Sequence, residues 1–227
     1  METKKRKTVS EFPNPESTER QSLKKEGKMR RREEKTEGSL SERIILAAIS
    51  EFSRSGLKFT MDDVAQNMGI SKKTLYTCFD SKEDMLMAIV DYCFRDIKRS
   101  EQEILLDPDM DIVDKIKSII VVLPERYKNI GLSALYSLKD KEPGVYRRLE
   151  EHIKTDWDET ITLLESGMAQ GRIKKISIPL LKAMIESSIA GFFSGNVLGE
   201  AGLTYEEGLE QLIDIVMDGI VTEPGGK

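Results

Sequence analysis

Six of the seven residues from Ser71 to Thr77 carry a hydrogen-bonding side chain: Ser71, Lys72, Lys73, Thr74, Tyr76 and Thr77. A lysine ammonium bonds guanine O6 and N7 or a phosphate oxygen, and Ser and Thr hydroxyls reach base edges or the sugar-phosphate backbone. Ser81 and Lys82 follow closely. They set the free N–H groups of a new helix start beside a lysine, a ready phosphate site. Cations near a helix N-terminus are mildly disfavoured by the macrodipole, so paired lysines at the start of a short helix point to a phosphate partner. Two residues admit plainer readings: Ser71 as a helix cap and Tyr76 as a cover over the helix pair.

The elements that position these groups are legible in the caps and periods. Ser39 and Glu42 form a capping box ahead of Ile44, Ile45, Ala48 and Phe52, and Gly56 ends that run. Thr60 opens a second helix with Asp63 three residues on, and Gly69 closes it. Val64, Met68, Ile70 and Leu75 are the inward residues that lock this helix to the next, which starts at Ser71. Ala65 is small where the two must cross closely. The spacing is that of a helix-turn-helix, whose second helix enters a DNA major groove. A long fourth helix begins at Ser81 and carries Met85, Leu86, Ile89, Val90, Phe94 and Ile97.

Beyond residue 107 the helical period continues. It predicts helices over about 112–123, 132–140, 145–170, 179–198 and 204–220, and "IKKISI" is the only strand-like run. The fold class is therefore all-α with about nine helices. The expected organisation is a flexible basic arm at 1–38, a helix-turn-helix domain at 39–88, a helical regulatory and dimerisation domain at 89–222, and a short tail at 223–227.

Charge follows the same division. The chain has 227 residues and a net charge of −5, yet residues 1–38 carry 12 basic and 8 acidic groups, while residues 100–227 carry 14 and 23. The arm's clusters read either as a solvated tail or as an auxiliary phosphate-binding segment. The basic start has no apolar stretch after it, and no apolar run reaches a membrane span's length, so neither a secretory signal nor membrane attachment is expected. Cys78 and Cys93 form no disulfide framework, and with His152 they make no metal-ligand cluster. A cytoplasmic protein with no metal and no cofactor is expected. One histidine, two distant cysteines and no Gly-rich phosphate loop leave little basis for an enzyme.

The string "RIILAAISEFSRSGLKFTMDDVAQNMGISKKTLYTCFDSKEDMLMAIV", and above all the T-L-Y-x-x-F-x-S-K-x-x-x-L run from Thr74 to Leu86, resembles the DNA-binding domain of the TetR family of transcriptional regulators. The resemblance implies a homodimer, a palindromic operator in double-stranded DNA, and a small-molecule pocket in the C-terminal domain. It puts Lys72, Lys73 and Thr74 on base-reading positions and Thr60, Tyr76, Thr77 and Lys82 on phosphate-contacting ones. Cys78 departs from the pattern, which has Tyr or His there, so the phosphate contact of that position is not carried over. As a thiol, Cys78 is expected to be an apolar filler.

In the C-terminal half, Phe94, Tyr127, Tyr136, His152 and Trp157 are candidates for a cavity holding a small apolar or amphipathic ligand; core packing is the plainer role for each. The run "IESSIAGFFSGNVLG" sets small residues beside Phe192 and Phe193, as a close helix–helix contact requires. A four-helix dimer interface from the last two helices is expected. The resulting function is a sequence-specific, ligand-responsive repressor. The alternative is a DNA-bound scaffold whose acidic C-terminal domain docks a protein partner without a small ligand.

Overall fold

The computed structural model describes residues 38–222, apart from residues 129 and 195. The expected arm, up to residue 37, and the tail at 223–227 lie outside the described residues. From Ile44 onward the chain packs as one unit.

Twelve α-helices and one 3₁₀ turn make up the described residues, with no strand among them. They are α1 (Leu40–Ser55), α2 (Met61–Met68), α3 (Lys72–Tyr76), α4 (Lys82–Leu106), α5 (Ile112–Val121), α6 (Glu125–Lys128), α7 (Leu132–Lys141), α8 (Pro143–Thr155), α9 (Asp158–Ala169), α10 (Ile178–Ser194), α11 (Val197–Ala201) and α12 (Tyr205–Ile220). The 3₁₀ turn, Gly56–Lys58, joins α1 to α2. "IKKISI" yields only an isolated antiparallel bridge between Ile173 and Val221.

The predicted caps form. Thr60 accepts from the Asp63 N–H while the Asp63 carboxylate accepts from the Thr60 N–H at 2.8 Å, and Thr204 and Glu207 repeat the arrangement at α12. Ser71 and Ser81 cap α3 and α4 by accepting from the N–H groups of Thr74 and Asp84. The Asp84 carboxylate turns instead to the Asp80 N–H, 3.1 Å away. Gly69 ends α2 at φ 64°, a left-handed conformation that strains any residue with a Cβ.

Three features were not legible in the apolar period. The helix expected over 145–170 is two helices, α8 and α9, broken at Asp156 and Trp157. Lys98 Nζ donates to the Asp156 carbonyl at 3.0 Å, so this carbonyl is satisfied outside any helical ladder. The expected run to Leu198 stops at Ser194 and resumes as α11. Helix α6, four residues after Pro124, is too short for any period to announce.

Helix α5 packs between α9 and α12, with Ile116, Leu164 and Ile213 fully buried. Gly167 makes room for this contact: a Cβ there would lie 3.0 Å from Ile116 Cδ1. Around α2 and α3, Val64, Ala65 and Leu75 are buried and Met68 and Ile70 pack against them. Asn67 adds a polar tie by donating to the buried Glu51 carboxylate of α1 at 2.7 Å.

Leu75→Ala is expected to destabilise the protein by about 2–5 kcal/mol, because a fully buried side chain is lost from a site that cannot collapse. Gly69→Ala is expected to cost about 1–2 kcal/mol through backbone strain alone, since the space around it is open. Urea unfolding measures both, and a larger loss for Gly69→Ala would contradict this account of the helix pair.

Candidate functional site

Helix α3 has one inner residue, Leu75, and an outer side made of the predicted polar groups. Ser71, Lys72, Lys73, Tyr76 and Thr77 are exposed and Thr74 is half-buried. Their partners differ. Ser71 Oγ accepts from the Thr74 N–H at 3.1 Å and lies 2.8 Å from Thr74 Oγ1, so both expectations for Ser71, cap and surface hydroxyl, apply to one atom. Thr77 Oγ1 donates to the Thr74 carbonyl at 2.6 Å. Lys72 forms an ion pair with Asp62 of α2, which raises its pKa. Lys73 has no ion-pair partner among the described residues. Tyr76 is 48% exposed, so it is not the cover over the helix pair that a core role requires.

Thr60 is exposed at the start of α2, bound up in its capping box. Lys82 is held differently from the α3 lysines: its Nζ donates to the Leu57 carbonyl and stands 4.7 Å over the Phe59 ring, and burial lowers its pKa. It pins the first turn of α4 to the 3₁₀ turn. Cys78 is half-buried against the core, as an apolar filler would be.

The second part of the site is a cavity of about 140 Å³. Leu86, Ile89, Cys93 and Phe94 of α4 form one wall, and Tyr127, Leu149 and Phe193 lie opposite. Of the five sequence candidates, Phe94 and Tyr127 line it. The Tyr127 hydroxyl donates to the buried Asp96 carboxylate at 3.2 Å, and Arg126 stands beside the same group, its Nε 3.4 Å away. Burial pushes the Cys93 thiol up to about 12, which leaves it an inert apolar lining group. At the rim Lys128 pairs with Glu206 at 2.6 Å and Glu125 at 3.2 Å.

His152 stacks on Phe94 with ring centroids 4.4 Å apart and faces a neighbouring cavity. Its Nε2 is 2.9 Å from Asp91 and its Nδ1 3.0 Å from Asp156. Trp157 and Tyr136 line neither cavity. Trp157 is 7% exposed and donates its ring N–H to the Ile153 carbonyl, so it is a core residue at the α8–α9 break.

Sequence reasoning missed Lys98 and Glu101. Both belong to the stripe that continues Phe94 and Ile97 at helical spacing, a signal masked by their charge. Lys98 lies 2.8 Å from Glu101 and 3.0 Å from Glu159. Burial alone would lower the Lys98 pKa, but these two carboxylates raise it. Glu101 is 6% exposed, and burial holds its pKa above the ordinary glutamate range. Among the described residues, no group of three or more His, Cys, Asp or Glu is placed to hold a metal ion, and no helix is long and apolar enough to cross a membrane.

A carboxyl group whose pKa rises on folding is bound more tightly to its proton in the folded state. Its effect on stability therefore improves as pH falls through the raised value toward the unfolded one, and is worst above both. Glu101→Gln is accordingly expected to gain stability relative to the parent at pH 8, with the advantage shrinking toward pH 4. Thermal unfolding across that range checks the sign; an advantage that grows on acidification would contradict it.

The comparisons with known proteins agree with this geometry. Residues 44–89 match the family of bacterial regulatory proteins, tetR family. An uncharacterized HTH-type transcriptional regulator of Bacillus subtilis, YvaF, is 27% identical over 184 residues, covering 81% of this chain and 97% of its own. Among solved structures, a TetR transcription regulator of Haloarcula marismortui shares the fold with a TM-score of 0.64 at 16% identity, over 80% of this chain and 98% of its own. The fatty acid degradation regulator FadR of Bacillus halodurans does so with a TM-score of 0.54 at 18% identity, over 80% and 94%. The helix-turn-helix of α2 and α3 lies within residues 44–89, the stretch similar to the bacterial regulatory proteins of the tetR family.

Proposed function

We propose that the protein is a ligand-responsive repressor that binds a palindromic operator as a homodimer in the cytoplasm, without enzymatic activity. The observation that carries this reading is the placement of Lys72, Lys73 and Thr74 on the outer side of a helix whose inner side is locked by Leu75. In the proposed complex these three read base edges in the major groove, while Thr60, Tyr76 and Thr77 contact phosphates. Lys82, already held by the Leu57 carbonyl, fixes the turn and adds positive charge beside the N-terminal amides of α4. The ion pair with Asp62 holds Lys72 in place before DNA arrives.

Dimerisation through α10 and α12 is supported by their exposed apolar residues. Leu180 is 62% and Met184 53% exposed on α10, and Ile215 is 73% exposed on α12. A Cβ on Gly191 or Gly219 would meet nothing within 4 Å, so both helices offer room for a close approach. Ligand control is supported by α4, which carries one wall of the cavity and begins at the helix-turn-helix. A ligand shifts operator binding only if it binds two arrangements of α4 unequally.

Lys72→Ala and Lys73→Ala are each expected to weaken binding to the DNA upstream of the protein's own gene by about 1–3 kcal/mol where a base contact is lost. Thr77→Ala is expected to weaken specific and non-specific DNA alike. Fluorescence anisotropy at several salt concentrations separates the two classes. Unchanged affinity in the Lys72→Ala, Lys73→Ala double variant would overturn the groove assignment.

A further inference from the structure

The cavity of about 140 Å³ is walled by helices that each turn an apolar side to it. Leu86, Val90 and Phe94 recur every four residues along α4, Leu135 and Leu138 stand three apart on α7, and Phe52 of α1 joins them. Such spacings put the groups of one helix on one face. Phe52, Leu86, Val90 and Leu138 are buried, and Phe94 and Leu135 pack against that core.

The polar groups in this lining are accounted for within the protein. The Tyr127 hydroxyl donates to Asp96. Burial raises the pKa of the Cys93 thiol and of the Tyr205 hydroxyl, so both stay neutral, and the Tyr205 ring packs on Phe193 with centroids 5.3 Å apart. Lys128 and Glu206 are the charged residues of the described lining, and they pair with each other at 2.6 Å.

A charged ligand head would therefore exchange water for apolar side chains or compete with an ion pair already formed. Burying a charge without a partner costs far more than burying a hydrocarbon. An uncharged apolar molecule meets no such cost and gains the contacts that an empty apolar cavity lacks. Size narrows the choice further. Apolar cavities of about 150 Å³ lined by Leu, Ile and Phe stay dry and admit benzene. Sites for drug-sized ligands run to about 300–1,000 Å³. A volume of about 140 Å³ holds one ring with a small substituent and is too small for a long acyl chain.

We propose that this cavity takes a neutral, apolar molecule the size of one substituted aromatic ring, and that it discriminates against acids and amines of the same size. This rests on the ligand-responsive reading above and deepens it by naming the chemical class of the ligand.

Calorimetric titration of the full chain with toluene, benzylamine and benzoate tests the assignment, because the three share a ring and differ in the charge of one small substituent. Dodecanoate adds a long-chain arm. Toluene is expected to bind about tenfold tighter than benzylamine or benzoate, and dodecanoate no tighter than benzoate. Cys93→Phe, which puts a ring into the cavity, is expected to abolish toluene binding. Leu135→Ala, which enlarges the cavity at a half-buried position, is expected to shift the preference from toluene to naphthalene. No toluene binding at millimolar concentration, equal or tighter binding of either ion or of dodecanoate, or a toluene preference that survives folded Cys93→Phe or Leu135→Ala would each overturn the proposal. The comparison of the four probes on the parent protein stands even if neither variant folds. Operator affinity measured in parallel separates the two readings. Toluene binding that Cys93→Phe removes but that leaves operator affinity unchanged would defeat ligand-responsive control while the ligand class stands. Operator release by a charged probe and not by toluene would defeat the ligand class while ligand-responsive control stands.

Discussion

Both parts of the site hang from α4, a helix that runs for 25 residues from Lys82 to Leu106 without a glycine or proline. At 1.5 Å per residue it spans about 37 Å, and nothing in its sequence lets it bend locally. Its first turns bury Met85, Leu86 and Ile89, and its start is pinned by Lys82 on the Leu57 carbonyl and the Phe59 ring. Its later turns carry Cys93, Phe94, Lys98 and Glu101 to the two cavities. The division expected between residues 88 and 89 falls inside this helix. In the ligand-responsive reading proposed above, a displacement at Phe94 would reach Ser81 and the α3 surface beyond it as rigid-body motion.

The polar groups along α4 fix its position by a few charged contacts placed among apolar ones. Asp91 takes Arg148 at 2.7 Å and His152 at 2.9 Å, which ties α4 to α8. Asp96 takes Tyr127 and Arg126, which ties it to α6. Lys98 takes Glu159 and the Asp156 carbonyl, which ties it to the α8–α9 break. Each contact is directional, so each sets the rotation of α4 as well as its location.

Local chemistry explains what the sequence displayed. Thr60 with Asp63, Thr204 with Glu207, Ser71 before α3 and Gly69 after α2 act within a few residues, so their pattern is visible in a single stretch. The outer polar side of α3 follows from the same short range. Contacts from far along the chain were not visible. The apolar stripe through Leu149, Ile153, Trp157 and Ile161 continues across the α8–α9 break, which Lys98 stabilises from 58 residues away. Glu101 sits in "RSEQEI", which reads as a solvated helix face; only its continuation of the Phe94–Ile97 stripe signals burial. Tyr127 reached the cavity on a four-residue helix with no period of its own, while Trp157 turned to the core.

Guanine methylation interference on the operator tests most directly whether α3 enters the major groove from both halves of a symmetrical dimer, since methylation at N7 blocks that groove alone. Two clusters of interference are predicted, related by a dyad and centred one helical turn (about 10 bp) or a small multiple of it apart. A single cluster, or strong interference only from adenine N3 in the minor groove, would contradict the account.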